Sequence, residues 1–417
     1  MSDYYHLARD QYLELGIDTD QVLDTMNRVV ISLHCWQGDD IRGFEPRQNS
    51  VGGGLQITGN YPGRARNIEE LQQDLEYVMQ LLPGRQKVSL HAIYGDYKGA
   101  SIDRDQIRPE HFQNWIDWAK QLKTGLDFNA TCFAHPNASS GRTLAHKDQK
   151  IREFWINHVK ACRGVAAEMG HQLGEVCVHN LWIPDASKDT PADRMSDRQL
   201  LIDSLDRIYE IHYSEDRMLD SVESKLFGIG GESMTVGSHE FYLGYALKNN
   251  LMVCLDNGHF HPTEQVADKI SALIPFVKGL LLHLTRGVRW DSDHVATFND
   301  EICAITQEVV QANAWEKIFL GLDYFDASIN RIGAYVVGAR AVQKAFLRAM
   351  LQPVSLLKQY ETENRLFERL ALLEELKTMP FGGVWDEYCR RSGVPGGRDY
   401  IHEIETYEQQ VLRKRNN

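Results

Sequence analysis

Eight runs rich in apolar and β-branched residues recur along the chain, and each one closes on polar groups. They are Val29–Trp36, Lys87–Tyr94, Gly125–Thr131, Glu175–Trp182, Met218–Lys225, Asn250–Phe260, Gly279–Arg286 and Lys317–Phe325. Runs this short, bounded by turn formers, read as buried strands. Most of the intervals between them carry a helical period instead. The clearest has apolar residues at Ile68, Leu71, Leu75, Val78, Met79, Leu81 and Leu82, with Asn67 placed to cap its start and Pro83-Gly84 to end it. Further helices are predicted over Ile151–Met169 and Ser196–His212. Eight strands alternating with helices predict a parallel sheet, and eight is the number that closes as a (β/α)8 TIM barrel. The expected fold is therefore α/β, a barrel with an additional C-terminal helical region.

Two segments exceed a minimal barrel. Residues 37–66 are Gly-rich and strand-poor, too long for a routine connection, and loops of that length are usually functional or disordered. Residues 341–417 are helical in pattern and rich in Leu, Glu, Lys and Arg. The domain reading is a barrel over 1–340 with the long loop 37–66, followed by a helical extension over 341–417 placed at subunit contacts.

Charge narrows the function. With 45 Lys+Arg against 58 Asp+Glu, the net charge is −13. A nucleic acid or an anionic membrane as main partner needs a basic field, so both are excluded as expectations. No apolar run reaches the length of a membrane span, and the N-terminus lacks the apolar core of a signal peptide. The seven cysteines are odd in number and form no C-x-x-C pair. Cys35, Cys132, Cys177 and Cys254 sit in strand-like runs, where a reduced thiol behaves as a small hydrophobe. These features predict a cytoplasmic protein.

The strand ends carry the chemistry. In a barrel of this kind catalytic groups lie at the C-terminal ends of the strands. Here those ends bring His34 and Trp36, His91 and Tyr94, Asp127 and Asn129, and Asn180 and Trp182. The second half adds Glu223 and Lys225, Asp256 and His259, His283 and Arg286, and Asp323 and Asp326. Taken singly, most of these have a bland reading. Glu223 with Lys225 is as readily a structural ion pair, Asp256 with His259 a capping or hydrogen-bonding pair, and His283 a satisfied core histidine. Asp291 and Asp293 flank Ser292 and present both carboxylates to one side of an extended chain, where they repel unless a cation or proton intervenes. Taken together, Glu223, Asp256, His259, His283, Asp291, Asp293 and Asp323 come from four successive strands, adjacent in a barrel. Five acids and two imidazoles suit two divalent ions, and ligation by oxygen and nitrogen without thiolate favours Mn²⁺, Mg²⁺ or Co²⁺. Trp36, Tyr94, Phe133, Trp182, Phe260 and Trp290 offer flat apolar faces, and His91, Asn180, Lys225 and Arg286 offer hydrogen bonds. That mixture suits a polyol, whose C–H faces and hydroxyl edges alternate. A metal-dependent phosphoesterase on the same barrel and a non-catalytic sugar-binding protein are the rival readings; the first is disfavoured by the acidic charge, the second by the convergence of so many ligands.

In this order the motifs resemble L-rhamnose isomerase. The segments that carry the likeness are His34-Cys-Trp-Gln-Gly-Asp-Asp40, Gly59-Asn-Tyr-Pro-Gly63, Leu90-His-Ala-Ile-Tyr94 and Asn180-Leu-Trp-Ile-Pro-Asp185. Val222-Glu-Ser-Lys-Leu-Phe-Gly-Ile-Gly230, Leu255-Asp-Asn-Gly-His-Phe-His-Pro262, Val288-Arg-Trp-Asp-Ser-Asp-His294 and Gly321-Leu-Asp-Tyr-Phe-Asp-Ala-Ser-Ile-Asn-Arg331 complete the set. The resemblance implies a homotetramer that uses one or two divalent ions per subunit, typically Mn²⁺, with Co²⁺ or Mg²⁺ as substitutes. It implies interconversion of L-rhamnose and L-rhamnulose, the first step of L-rhamnose degradation; the expected route is a metal-assisted hydride shift between C1 and C2, with an enediol route through a carboxylate base as the competitor. By motif, Glu223, Asp256, His283 and Asp323 hold a structural ion, and His259, Asp291 and Asp293 a catalytic one. Lys225, Asp323 and His91 take catalytic roles, and Trp182, Lys225, His91, Trp36 and Phe133 bind the sugar. The long loop is expected to complete a neighbour's active site.

Overall fold

The computed structural model describes residues 2–45, 57, 59–226, 232–261, 263–288 and 293–415. Each of the eight predicted runs coincides with a strand, shorter than the run because the polar tails leave the sheet; seven strands lie within their runs and the second starts one residue earlier, at Gln86. The strands are β1 (Ile31–His34), β2 (Gln86–His91), β3 (Gly125–Asn129), β4 (Cys177–Leu181), β5 (Met218–Glu223), β6 (Met252–Asp256), β7 (Leu280–Leu284) and β8 (Ile318–Leu322). All pair in parallel with their sequence neighbours, and β8 returns to β1 with Ile31 opposite Leu320, closing the barrel. A further two-residue antiparallel ribbon joins Ala186–Ser187 to Met234–Thr235 among the loops after β4 and β5.

Strand alternation sends every second side chain into the barrel. Val178, Met252, Cys254 and Leu281 fill its interior, with Leu219 and Phe319 against them. Lower down, Lys87 reaches across to Asp127 at 2.5 Å, and Asp127 also accepts from the Val178 amide at 2.8 Å. The floor is thus closed by apolar side chains and one buried ion pair, which leaves the other mouth for ligands.

The helices around the barrel follow the predicted periods. Helix Ile68–Gln80 starts at Asn67, whose side chain accepts from the Glu70 amide at 2.9 Å, and buries Leu71, Leu75 and Val78. Each such side chain contributes about 1.5–3 kcal/mol when fully buried. The other two predicted helices run Gln149–Leu173 and Arg194–Tyr209. Helix Asp3–Glu14, which the periodicity did not single out, packs on helix Phe381–Arg391.

Beyond β8, helix Arg331–Met350 runs straight through position 340, and helices Val354–Thr362, Leu366–Glu375, Phe381–Arg391 and Asp399–Gln410 follow. The last returns to the barrel, where Tyr407 and Arg415 both bond to the buried Asp74 at 2.6–2.9 Å. Glu408 collects Tyr61 at 2.8 Å and Asn330 at 2.7 Å. The described ends of the long loop fold onto the same chain: Arg331 pairs with Asp40 at 2.8 Å and donates to the carbonyls of Tyr61 and Pro62. Gly59, at φ +114°, passes so close to Ala327 that a Cβ would lie 2.5 Å from its backbone. The rest of the loop, residues 46–56 and 58, lies outside the described residues. Among the described residues no helix is long and apolar enough to cross a membrane.

Candidate metal centre

At the C-terminal mouth, neighbouring strands bring four of the predicted ligands together. Glu223 ends β5, Asp256 ends β6 opposite His283 of β7, and Asp323 follows β8. One ligand atom from each of Glu223, Asp256, His283 and Asp323 lies within 4.8 Å of the others. A second group, Asp256, His259 and Asp293, meets the same limit and shares Asp256 with the first. Asp291 and Trp290 lie outside the described residues.

Each carboxylate of the first group has one oxygen fixed and the other turned inward. Glu223 Oε2 accepts from Asn180 Nδ2 at 2.5 Å, while Oε1 stands 3.4 Å from His259 Nδ1 and from His283 Nδ1. Asp256 Oδ1 accepts from the Gly258 amide at 2.6 Å, while Oδ2 faces His283 Nδ1 at 3.7 Å. Asp323 Oδ1 accepts from Trp36 Nε1 at 3.2 Å, while Oδ2 lies 3.1 Å from His283 Nδ1. Glu223 Oε1, Asp256 Oδ2 and His283 Nδ1 are buried without a hydrogen bond among the described residues. Buried polar atoms are rarely left so, and several converging on one point fit a cation. Two glycines make the room: a Cβ on Gly258 would approach Asp293 Oδ1 to 2.8 Å, and one on Gly321 would approach the His283 ring to 3.1 Å.

The electrostatics reflect the same crowding. Burial pushes Asp256 up to about 8, with Asp323 and Glu223 adding to the rise against the pull of His259 and His283. Burial also opposes the charge on Glu223, but His283, His259 and the Asn180 hydrogen bond bring it down to about 2. Carboxylates crowded this way repel until an ion or a proton intervenes.

Beside the ligands stands an aromatic wall. The His91 ring meets Trp36 edge-on at 4.8 Å and Phe133 at 5.4 Å, and Phe133 meets Trp182 at 6.2 Å. Burial holds His91 down to about 3, so it is a neutral imidazole, with Nδ1 3.1 Å from the Thr131 hydroxyl. Trp182 Nε1 is buried with no acceptor among the described residues. Lys225, two residues past Glu223, is buried and directs its ammonium to Glu232 at 3.2 Å and to the Leu226 carbonyl at 3.0 Å.

Other residues at the strand ends make contacts within the fold. Tyr94 donates to Asp39 at 2.6 Å, Phe260 packs on His239, and Arg286 donates to the Val295 carbonyl. Asp326 accepts from the amide of Ser328 in a turn. Conversely, Arg104 carries no signal in the sequence, yet it holds the segment that carries Phe133. Its buried guanidinium donates to the carbonyls of Thr131 at 2.9 Å and Phe133 at 2.5 Å and pairs with Glu45 at 2.8 Å. His158 fixes Thr131 in turn by accepting its amide at 3.0 Å. Nothing in the local sequence of Arg104 or His158 marks these long-range roles.

The L-rhamnose isomerase (RhaA) family model matches residues 1–415. The chain belongs to the L-rhamnose isomerase family. It is 54% identical over 411 residues to the L-rhamnose isomerase of Rhodopirellula baltica, covering 99% of this chain and 96% of that one. The L-rhamnose isomerase of Bacteroides thetaiotaomicron is 52% identical over 99% of this chain and 98% of its own. Membership makes the chain an aldose–ketose isomerase. Among solved structures, an L-ribulose 3-epimerase covers 71% of this chain and 96% of its own at 10% identity, with a TM-score of 0.48.

Proposed function

We propose that the chain interconverts L-rhamnose and L-rhamnulose at the mouth of the barrel, with divalent ions in the two ligand groups, as the first step of L-rhamnose degradation. The observation that carries this reading is the convergence of inward-turned atoms of Glu223, Asp256 and His283, which have no hydrogen bond among the described residues, beside the aromatic wall. Glu223, Asp256, His283 and Asp323 would hold a structural ion, and His259, Asp293 and Asp291 a catalytic one. The donors are hard oxygens and imidazoles, which favours Mn²⁺, with Co²⁺ or Mg²⁺ as substitutes. A bound ion supplies Lewis acidity toward the sugar oxygens at C1 and C2.

The side chains supply the rest. Trp36, Phe133 and Trp182 pack against the C–H face of the sugar and keep water from the reacting carbons. His91, neutral and held through Thr131, hydrogen-bonds a sugar hydroxyl. Lys225 turns from Glu232 to donate to O1, and Asp323 orients the reacting end. In the forward direction hydrogen leaves C2 with its electron pair and bonds to C1, while the proton of O2 passes to O1. The aldehyde becomes a primary alcohol and C2 becomes the ketone, so the step balances without an external oxidant.

The rival is an enediol route in which a carboxylate removes the C2 proton. L-Rhamnose deuterated at C2 separates them. Retention of deuterium at C1 of the product supports the hydride shift, and extensive washout into solvent sinks it. A homotetramer in the cytoplasm belongs to the same proposal. The exposed Leu366, Phe367 and Leu370 on a helix with no buried residue support a subunit contact there, and seven free cysteines, six of them buried, support a reducing compartment. The 37–66 loop reaching a neighbour's site is tested by a monomeric variant, which should lose activity.

A further inference from the structure

Directly beneath the ligand cluster the barrel carries a thiol. Cys254 stands two residues before Asp256 on β6, on the same inward face, in register with Glu223 on one side and Leu281 on the other. Its sulfur, a Glu223 oxygen and a His283 nitrogen lie within 4.8 Å of one another, and all three residues are buried. Two of these partners bring atoms with no hydrogen bond among the described residues, Glu223 Oε1 and His283 Nδ1. Val178, Met252 and Leu281 form one apolar cluster with it.

We propose that Glu223, Cys254 and His283 form a second cation site, one layer below the oxygen-rich group, that takes thiophilic divalent ions in competition with the harder ion above. Hard ions take the carboxylates of Asp256 and Asp323, whereas a soft ion gains more from sulfur and imidazole. Both sites need Glu223 and His283, so one ion excludes the other. On ligation the Cys254 S–H bond breaks, sulfur bonds to the ion, and the proton leaves to solvent, with no change of oxidation state. An apolar floor keeps water from competing for the fourth side of the ion. The mouth of this barrel is therefore open to poisoning by soft metals even though its working ligands contain no sulfur.

The inference rests on Glu223 and His283 as cation ligands, and it is independent of the reaction. Cadmium is the probe: the full chain, stripped with EDTA and loaded with Mn²⁺, is titrated with Cd²⁺. Near-ultraviolet absorbance follows the thiolate-to-cadmium charge-transfer band, and electron paramagnetic resonance follows released Mn²⁺. The band should grow to one cadmium per chain as Mn²⁺ leaves. Cys254→Ala should lose the band while still binding Mn²⁺, and Asp256→Asn should keep it. Should the alanine variant unfold, Cys254→Val restores the lost volume and is expected to behave the same way. A band of undiminished height without Cys254, or Mn²⁺ release with no band, would overturn the proposal. An inactive but band-forming protein would instead count against the isomerase reading alone.

Discussion

Trp36→Phe isolates one hydrogen bond at the centre of the site. The indole Nε1 donates to Asp323 Oδ1 at 3.2 Å, which leaves Oδ2 facing His283. Phenylalanine keeps an aromatic ring near His91, whose centroid lies 4.8 Å from that of the indole, and removes the donor together with part of the ring area. A hydrogen bond to a charged group contributes about 1.5–3 kcal/mol. At about 1.4 kcal/mol per tenfold, its loss should lower divalent-ion affinity by about 10–100-fold, the range usual for groups that orient metal ligands. The assay is a Mn²⁺ titration of stripped protein followed by electron paramagnetic resonance, with turnover measured at saturating Mn²⁺. Activity should return in part when the metal is saturating, the shortfall reporting the ring area lost from the sugar face. Unchanged affinity would mean that Asp323 is held by something other than Trp36, or that it holds no ion.

Other outcomes follow from the same geometry. Gly321→Ala places a Cβ 3.1 Å from the His283 ring, so the imidazole must move by a few tenths of an ångström; ion affinity should fall by about tenfold with little loss of thermal stability. Elemental analysis should find both ions depleted in Asp256→Asn, because Asp256 belongs to both groups, whereas Asp293→Asn should keep the ion held by Glu223, Asp256, His283 and Asp323. Lys87→Met leaves Asp127 buried without its cation in the barrel floor; unfolding in urea should show a loss of about 3–5 kcal/mol, and a loss under about 1 would refute the pairing's importance.

The barrel was legible because each strand is an apolar run that ends on chemistry, a pattern local enough to survive without coordinates. The candidate cluster was legible for the same reason: Glu223, Asp256, His283 and Asp323 are costly to bury singly at strand ends, and adjacent strands must bring them together. What supports those side chains was not. Asn180 and Glu223 are 43 positions apart, and Trp36 and Asp323 are 287 apart. Such pairs exist only once strands β4 and β5, or β1 and β8, lie side by side. Cys254 reads as a small apolar residue along its strand, and its place beneath His283 is set by the register between β6 and β7. The ribbon of Ala186–Ser187 and Met234–Thr235 is too short to leave a period, and Arg104 acts through carbonyls that any sequence provides.

The most direct test is turnover of L-rhamnose by protein stripped with EDTA and then re-supplied with Mn²⁺. Formation of L-rhamnulose should vanish on stripping and return as Mn²⁺ binds. Full activity in the stripped protein would contradict the metal-dependent centre, and no L-rhamnulose from folded, Mn²⁺-loaded protein would contradict the substrate.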